Sequence, residues 1–568
     1  MAGVGIEGVE MENGVLRCGE GTLERRKGIN IVRLSGTHAE MGWQHGRLAA
    51  AVCGDMVGDY FNRVVEVLIG HSAKAVAGPA SRFIKWLFYA LNRKRIGAEY
   101  TEELVGLAKG LGIPPHVALK LILVPDILHY IIGKVFPMYA APSCSGFMAK
   151  DTATEGGRLI VGRNFDFFGQ GVWDEANALL LFSPAGGRKY CWIGALGVPG
   201  SGQGMNESGI IISLHTKFTK DVRLTGIPLF TLMGAMLEKC GTLDEAMRMI
   251  TAQPRMCGLS MFIVDSKARD AAVVGFSANR AEIVRPEYDV LTRTNHYFSD
   301  EMKKLEVPFY GWKMHSEGRL LRLREILEEK RGALRPRDVP AILADNLDYW
   351  ERRRRVAGCI LGATNNAQSV VFSPDEDSMW LADGPFPVCC ADAFRGFSIS
   401  ALFNGDMGKC EIPDLTGAGL LDDKEKEAQR LFQEAWTDHL ENFRDDLALK
   451  NLRAGEALLP DEPVFPRMAG LILLKEKKFE QALPFFERNA AAEYRSDLRR
   501  AESLVWLGRC LDLLGRHEEA IPHYRAACTI PAPPISEAAK NHVNSPFREK
   551  QLFDVSPEFI IETALAKY

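Results

Sequence analysis

None of the 12 cysteines forms a C-x-x-C pair, and only Cys389 and Cys390 are adjacent. That excludes a zinc ribbon and a disulfide framework, and it fits a reducing compartment. Charge of one sign is also missing: 69 Lys and Arg stand against 73 Asp and Glu, a net −4. Nucleic acid is therefore not an implied partner. No apolar run reaches the ~20 residues a transmembrane helix needs. The most apolar stretch, 117–139, is broken by Pro125, Asp126, His129 and Lys134. Met1 to Arg26 carries acids and glycines where a secretory signal has a basic start and an apolar core. These absences set the expectation of a cytoplasmic protein. With 568 residues, 46% of them hydrophobic, the chain is long enough for more than one domain with large cores.

What is present changes character along the chain. After a strand-like piece, Ile29 to Leu34, the stretch Gly36-Thr37-His38-Ala39-Glu40-Met41-Gly42-Trp43-Gln44-His45-Gly46 starts a helix. Thr37 is its N-cap, with Glu40 three residues on, and apolar spacing continues to about Leu68. His38 and His45 have no third ligand nearby, so helix packing accounts for them better than a metal. Residues 82–95 join large apolar side chains to five basic ones, which suits a core helix with snorkelling ends or an interfacial helix. The first 143 residues are thus mostly helical.

From Cys144 onward the pattern turns to strands near 144–150, 158–167, 177–183, 189–196 and 209–215. Helices near 227–239 and 242–252 follow, then strands at 259–265, 271–276, 280–285 and 288–294. Helices at 313–331 and 337–349 precede strands at 368–373 and 378–383. Hairpins with helices inserted in pairs describe an α+β layered sandwich. The glycine-rich run Gly200 to Gly209 precedes a strand, so it reads as a turn lining a pocket and not as a phosphate loop.

Beyond about Leu420 the chain is charged and helical. Gly470, Leu473, Ala482 and Phe486 match Gly508, Leu511, Ala520 and Tyr524, each pair 38 residues apart. The spacing is that of a tetratricopeptide helix pair with a short extension within Ala490 to Arg500. Two such repeats serve as a surface for a protein partner or as a cap on the rest. The expected division is 1–143, 144–420 and 421–568.

The chemistry concentrates in Pro142-Ser143-Cys144-Ser145-Gly146-Phe147 and Gly162-Arg163-Asn164-Phe165-Asp166-Phe167. If the polar turn between them centres near Thr154, antiparallel pairing sets Cys144 opposite a residue near 164. A guanidinium and a carboxylate then flank the thiol, which can lower its pKa, orient it and hold a nearby amine. A buried strand cysteine beside a structural ion pair fits the same residues.

With Gly204-Met205-Asn206-Glu207-Ser208-Gly209-Ile210 and Thr294-Asn295-His296, these motifs resemble the N-terminal-nucleophile hydrolases of the choloylglycine hydrolase, acid ceramidase and isopenicillin-N acyltransferase group. The acyltransferase-like branch is the nearest, over residues 30 to 395. The resemblance implies an αββα sandwich of antiparallel sheets and self-cleavage between Ser143 and Cys144. It also implies a thioester on Cys144, formed with an N-acyl amide without any cofactor or metal. Asp166 would hold the new α-amine, Arg163 would steady the thiolate and Asn295 would stand at the oxyanion. His215 falls near a second oxyanion position, after the turn at Asn206. The family's later arginine has no assignable match, and Asn365, Asn366 or Ser369 would line that side. The apolar segments 82–91 and 117–139 point to a long or aromatic, lipid-like acyl group. Two other readings stay open: a papain-like enzyme pairing Cys144 with His215 or His296, and a non-catalytic scaffold.

Overall fold

The computed structural model describes residues 8–54, 65, 67, 69, 77–134, 142–167 and 169–565. Before the nucleophile segment come strands β1 (Glu10–Glu12), β2 (Val15–Cys18), β3 (Gly21–Arg26) and β4 (Ile29–Gly36). Next are β5 (Ser143–Asp151), β6 (Gly157–Asp166), β7 (Asn177–Pro184), β8 (Tyr190–Ala195), β9 (Gln203–Asn206) and β10 (Ile210–Thr216). They are followed by β11 (Leu259–Asp265), β12 (Asp270–Phe276), β13 (Ala281–Val284), β14 (Val290–Arg293), β15 (Leu347–Asp348) and β16 (Arg353–Arg354). The last strands of the sandwich are β17 (Asn366–Ser373), β18 (Ser378–Ala382), β19 (Ala393–Ser398) and β20 (Glu411–Thr416).

Two sheets dominate. One runs β1-β2-β3-β4-β7-β8-β9-β10-β11-β12-β13, the other β14-β5-β6-β17-β18-β19-β20. Neighbours are antiparallel except β4 and β7, which run parallel from Asn30↔Ala178 to Gly36↔Pro184. The strands are apolar on both faces because both faces are covered. Leu179 and Leu181 of β7, Leu159 and Val161 of β6 and Val370 and Phe372 of β17 form one core with Met148 and Phe262 between the sheets. Alternate residues, Leu180, Phe182, Ile160 and Val371, belong to a second core shared with the helices. This period of two is the signature of stacked sheets. Each such side chain, fully buried, contributes roughly 1.5–3 kcal/mol. The result is an αββα sandwich with a C-terminal region that is helical except for a short hairpin, Ser556–Glu558 with Thr563–Leu565, the expected class.

Thr37 caps the helix His38–Cys53 in a capping box with Glu40, and Gly54 ends it. The expected continuation toward Leu68 lies largely outside the described residues. This helix crosses Ala98–Leu111 at backbone contact: a Cβ on Gly42 would stand 2.0 Å from the Glu103 carbonyl, and one on Gly106 2.3 Å from that of Ala39. His38 clasps the crossing, with Nδ1 2.8 Å from Glu103 and Nε2 3.2 Å from Glu238. His45 Nε2 accepts from the Gly197 N–H at 2.9 Å. On the helix Ala77–Asn92, Phe83 and Trp86 are exposed. No single helix among the described residues is long and apolar enough to cross a membrane. Pro115–Leu121 and Val124–Lys134 pass that test only together, bent by 50°.

The helix expected at 337–349 is shorter. It spans Val339–Leu343 and gives way to the β15–β16 hairpin. Pro336 and Pro340 suit a helix start, but Asp345 to Asp348 must turn to hold Trp350 and Cys359. Strands β1 to β3, β9, β15, β16, β19 and β20 were not foreseen. β9 hides in the glycine run because a Cβ on Gly204 would stand 2.5 Å from the Cys191 carbonyl, so no side chain fits.

From Asp423 the chain forms helical hairpins: Asp423–Leu440 with Asp445–Leu458, Val464–Lys475 with Phe479–Ala491, and Asp497–Leu513 with His517–Cys528. The matched residues do the same work in two of them. The Phe486 ring lies against Gly470 and the Tyr524 ring against Gly508. The extra repeat length falls before Gly508, as an added turn of a 17-residue helix against one of 12 residues. The region is packed on the sandwich by buried charge: Arg355 bonds Glu462 at 2.6 Å and also Glu562.

The two carboxylates raise the His38 pKa to about 10 against the desolvation that lowers it. A pKa raised from 6.5 to about 10 means a stabilisation present in full below pH 6.5 and lost as pH rises through 10. Urea denaturation of the His38→Gln variant should show a loss of roughly 3 kcal/mol at pH 6. The gap from wild type should close by pH 10.

Candidate active site

The β5–β6 hairpin pairs Ser143 with Asp166, Cys144 with Phe165 and Ser145 with Asn164. The turn between the strands uses Gly156 and Gly157 at φ 67° and 72°. On the other side β14 pairs Arg293 with Gly146, so Asn295, two residues further, draws level with Cys144. β17 sets Asn366 opposite Asp166. Sheet order alone thus brings Cys144, Arg163, Asp166, Asn295 and Asn366 to one end of the smaller sheet. Cys144 shares a strand face with Met148, and Arg163 with Val161, so both point between the sheets.

Every member is buried. Arg163 Nη2 lies 3.6 Å from Cys144 Sγ and also donates to the Leu214 carbonyl of the facing sheet. Its Nε and Nη1 are buried without a partner. The Asn295 Oδ1 accepts from the Cys144 N–H at 3.0 Å and from Arg319 Nη2 at 2.7 Å, which fixes the amide's orientation. Its Nδ2 then donates to the Thr216 carbonyl at 3.0 Å. Asp166 Oδ2 accepts from Ser143 Oγ at 2.8 Å, and Oδ1 from Asn366 Nδ2 at 2.9 Å. Burial pushes the Cys144 thiol up, with Arg163 opposing. Burial likewise raises Asp166, chiefly against the pull of Arg319.

Arg319 was not read from the sequence. It lies on the helix Tyr310–Glu329, and Nη1 donates to the Cys144 carbonyl and Ser145 Oγ, both at 2.9 Å. Ser316 on the same helix takes the Asn295 N–H on its Oγ at 2.7 Å. Lys217 Nζ holds the Thr294 carbonyl at 2.6 Å. The only signal was a run of polar residues, His315, Ser316 and Arg319, at buried helix positions, which sequence periodicity assigns to solvent.

Among the described residues none of the remaining candidates hydrogen-bonds the sulfur. Asn206 spends Nδ2 on the Leu237 and Cys240 carbonyls and Oδ1 on the Ile210 N–H. His215 packs its ring against Gly146, with both nitrogens lacking a partner, and burial holds it well below an ordinary imidazole. His296 bonds Ser316 Oγ at 2.8 Å, and burial lowers it to about 2. Neither histidine hydrogen-bonds Cys144 among the described residues. The Asn365 carbonyl accepts from the Phe167 N–H at 2.9 Å while its Oδ1 is unpartnered. Ser369 bonds Asn164 at 2.5 Å.

Two stacked, mostly antiparallel sheets lie between helical layers, and Cys144 sits near the start of β5 in the smaller sheet. Residues 152–382 match the family model of acyl-coenzyme A:6-aminopenicillanic acid acyl-transferase, and residues 501–532 match that of a tetratricopeptide repeat. The first match begins after Cys144 and takes in Arg163, Asp166, Asn295 and Arg319. An uncharacterized protein of Archaeoglobus fulgidus is 24% identical over 309 residues, 48% of this chain and 51% of that one. The chain thus spans about half the length of the curated relative it matches. Among solved structures, an N-acylethanolamine-hydrolyzing acid amidase ortholog of Caenorhabditis elegans is 15% identical. It covers 41% of this chain and 93% of its own, at TM-score 0.28. A mutant conjugated bile acid hydrolase of Clostridium perfringens is 12% identical over 46% and 94%, at TM-score 0.31.

Replacing Arg319 by Met leaves three acceptors and the Asp166 charge without their buried donor. Urea denaturation should show a loss of roughly 3 kcal/mol, with far-ultraviolet circular dichroism unchanged at zero urea.

Proposed function

We propose that this chain is a self-processing amide hydrolase or acyltransferase that acts on N-acyl amides through a thioester on Cys144. The observation that carries the reading is the grip on the Ser143–Cys144 peptide. Asn295 accepts its N–H, Arg319 holds the Cys144 carbonyl, Asp166 engages Ser143 Oγ and Arg163 touches the sulfur. A strand cysteine buried only for packing needs none of these.

In processing, Cys144 Sγ attacks the Ser143 carbonyl carbon. The C–N bond breaks as the nitrogen takes a proton, and the acyl chain passes to sulfur. Water then releases Ser143 as a carboxylate and restores the thiol. The freed α-amine, with a reference pKa of about 7.7–8.0, serves as general base near neutral pH. Asn295 Oδ1, which accepts the Cys144 N–H, keeps hold of the amine, and the Asp166 carboxylate pairs with it once Ser143 has moved away. In turnover it takes the thiol proton and the sulfur attacks the substrate carbonyl. The unpartnered Nε and Nη1 of Arg163 supply donors for the oxygen that gains charge. The amine leaves with a proton, and water or an acceptor amine resolves the thioester.

Beside Arg163 the rings of Phe165, Phe167 and Trp173 meet at 5.3 to 6.3 Å, which favours an apolar acyl group. Twelve unbridged cysteines suit a cytoplasmic setting. The tail would offer its outer helices to a protein partner while its inner face stays on the sandwich.

Intact-mass spectrometry of the wild type should give two fragments meeting at Ser143 and Cys144, and Cys144→Ala should give one chain. An uncut wild type would defeat the proposal. The joint variant His215→Gln with His296→Gln should keep turnover within about tenfold, whereas a papain-like pair would lose roughly 10²–10⁴-fold. Equal rates on short- and long-chain N-acyl amides would remove the acyl preference.

A further inference from the structure

Between the sandwich and the helical tail lies a cavity of about 350 Å³. The β15–β16 hairpin and Arg355 form one wall; the helix Asp423–Leu440 and the turn Leu458 to Glu462 form the other. Two of its four cations are held in ion pairs. Arg354 Nη2 meets Glu425 at 3.2 Å, and Arg355 meets Glu462 and Glu562. Glu462 in turn is surrounded by donors, with its oxygens also accepting from the Val356 and Val464 N–H groups.

Arg353 is not so held. Its Nη1 donates to the Asp461 carbonyl at 3.1 Å, and it makes no ion pair within 4.0 Å among the described residues. Its Nε and Nη2 are buried and have no partner. Arg355, only 3% exposed, leaves Nη1 unpartnered on the same cavity. Lys424 stands at the rim, and Leu421 and Leu459 supply apolar wall. A buried donor left unsatisfied costs about 1–3 kcal/mol, more when charged. Nε and Nη2 form the side-on edge of a guanidinium, whose two parallel N–H bonds match the oxygens of a carboxylate or phosphate.

We propose that this cavity binds a small ligand bearing a carboxylate or a phosphate. Two ligand oxygens engage Arg353 Nε and Nη2, a third donor comes from Arg355 Nη1, and any short apolar body lies on Leu421 and Leu459. The ligand joins the sandwich to the repeats, and no bond is made or broken. None of these residues touches Cys144, so the test needs no turnover.

The full chain is titrated with sodium phosphate, and separately with sodium hexanoate, at constant ionic strength, with thermal unfolding as readout. A saturable rise in Tm with either probe is expected. Phosphate alone would identify a phosphate ligand, and hexanoate alone a carboxylate with an apolar body. In Arg353→Gln the apparent Kd should rise at least tenfold while Tm in chloride stays near wild type. Arg353→Lys keeps the charge and loses the fork, and should fall between. If Arg353→Gln does not fold, Arg353→Lys and Lys424→Gln carry the test, each with an expected rise of about threefold or more. No saturable shift in wild type, or an unchanged Kd in the folded variants, overturns the site.

Discussion

The buried guanidinium of Arg319 is the contact on which the candidate site depends. It draws the Cys144 carbonyl, Ser145 Oγ and Asn295 Oδ1 onto one planar group, so β5, the loop after β14 and the helix Tyr310–Glu329 are held in a single register. It is also the main positive charge acting on Asp166. A buried pocket with two arginines and one carboxylate is tolerable because each charged group has at least one hydrogen-bond partner. The helix comes close enough only because position 318 is glycine: a Cβ there would stand 2.5 Å from Trp350 Nε1 and 2.8 Å from Cys359 Cβ. Trp350 and Cys359 belong to the segment that Asp348 pins, and Arg355 next to it ties into the tail.

The double-sided burial of the strands supplies the rigidity behind this. With one face on the facing sheet and the other on helices, a slip of one residue in β5 would exchange Met148 for Phe147 in the inter-sheet core. Such a slip would also turn Cys144 away from Arg163. The register that packs the core is the register that assembles the thiol, the guanidinium and the amide.

The hairpin was readable because its turn chemistry and its period of two agree. Cys144 falls opposite Phe165, one residue from the expected partner. The chemistry-bearing set was readable because polar residues interrupt strands that are otherwise apolar. Arg319 was not readable, since a helix shows polar residues on its solvent face as a rule, and only tertiary contact reveals which of them is inside. The three hairpins of the tail were half visible: the two sharing a glycine-to-ring contact stand out, while the first, Asp423–Leu458, lacks that pair. β1 to β3 carry too many charges and glycines to read as sheet, and they exist because β4 gives them an edge to extend.

That edge has a consequence for how the molecule can be taken apart. β4 lies beside β7 in the interior of the larger sheet, so the segment before Cys144 completes a sheet begun after it. A polypeptide starting at Cys144 would expose β7 along Asn177 to Pro184, with its ladder groups unmet and Leu179 to Phe182 beside them, a template for edge-to-edge aggregation. The two portions are therefore complementary halves of one folding unit. Gene fragments made separately would have to fold together in one vessel, whereas a chain folded first can be cut without coming apart.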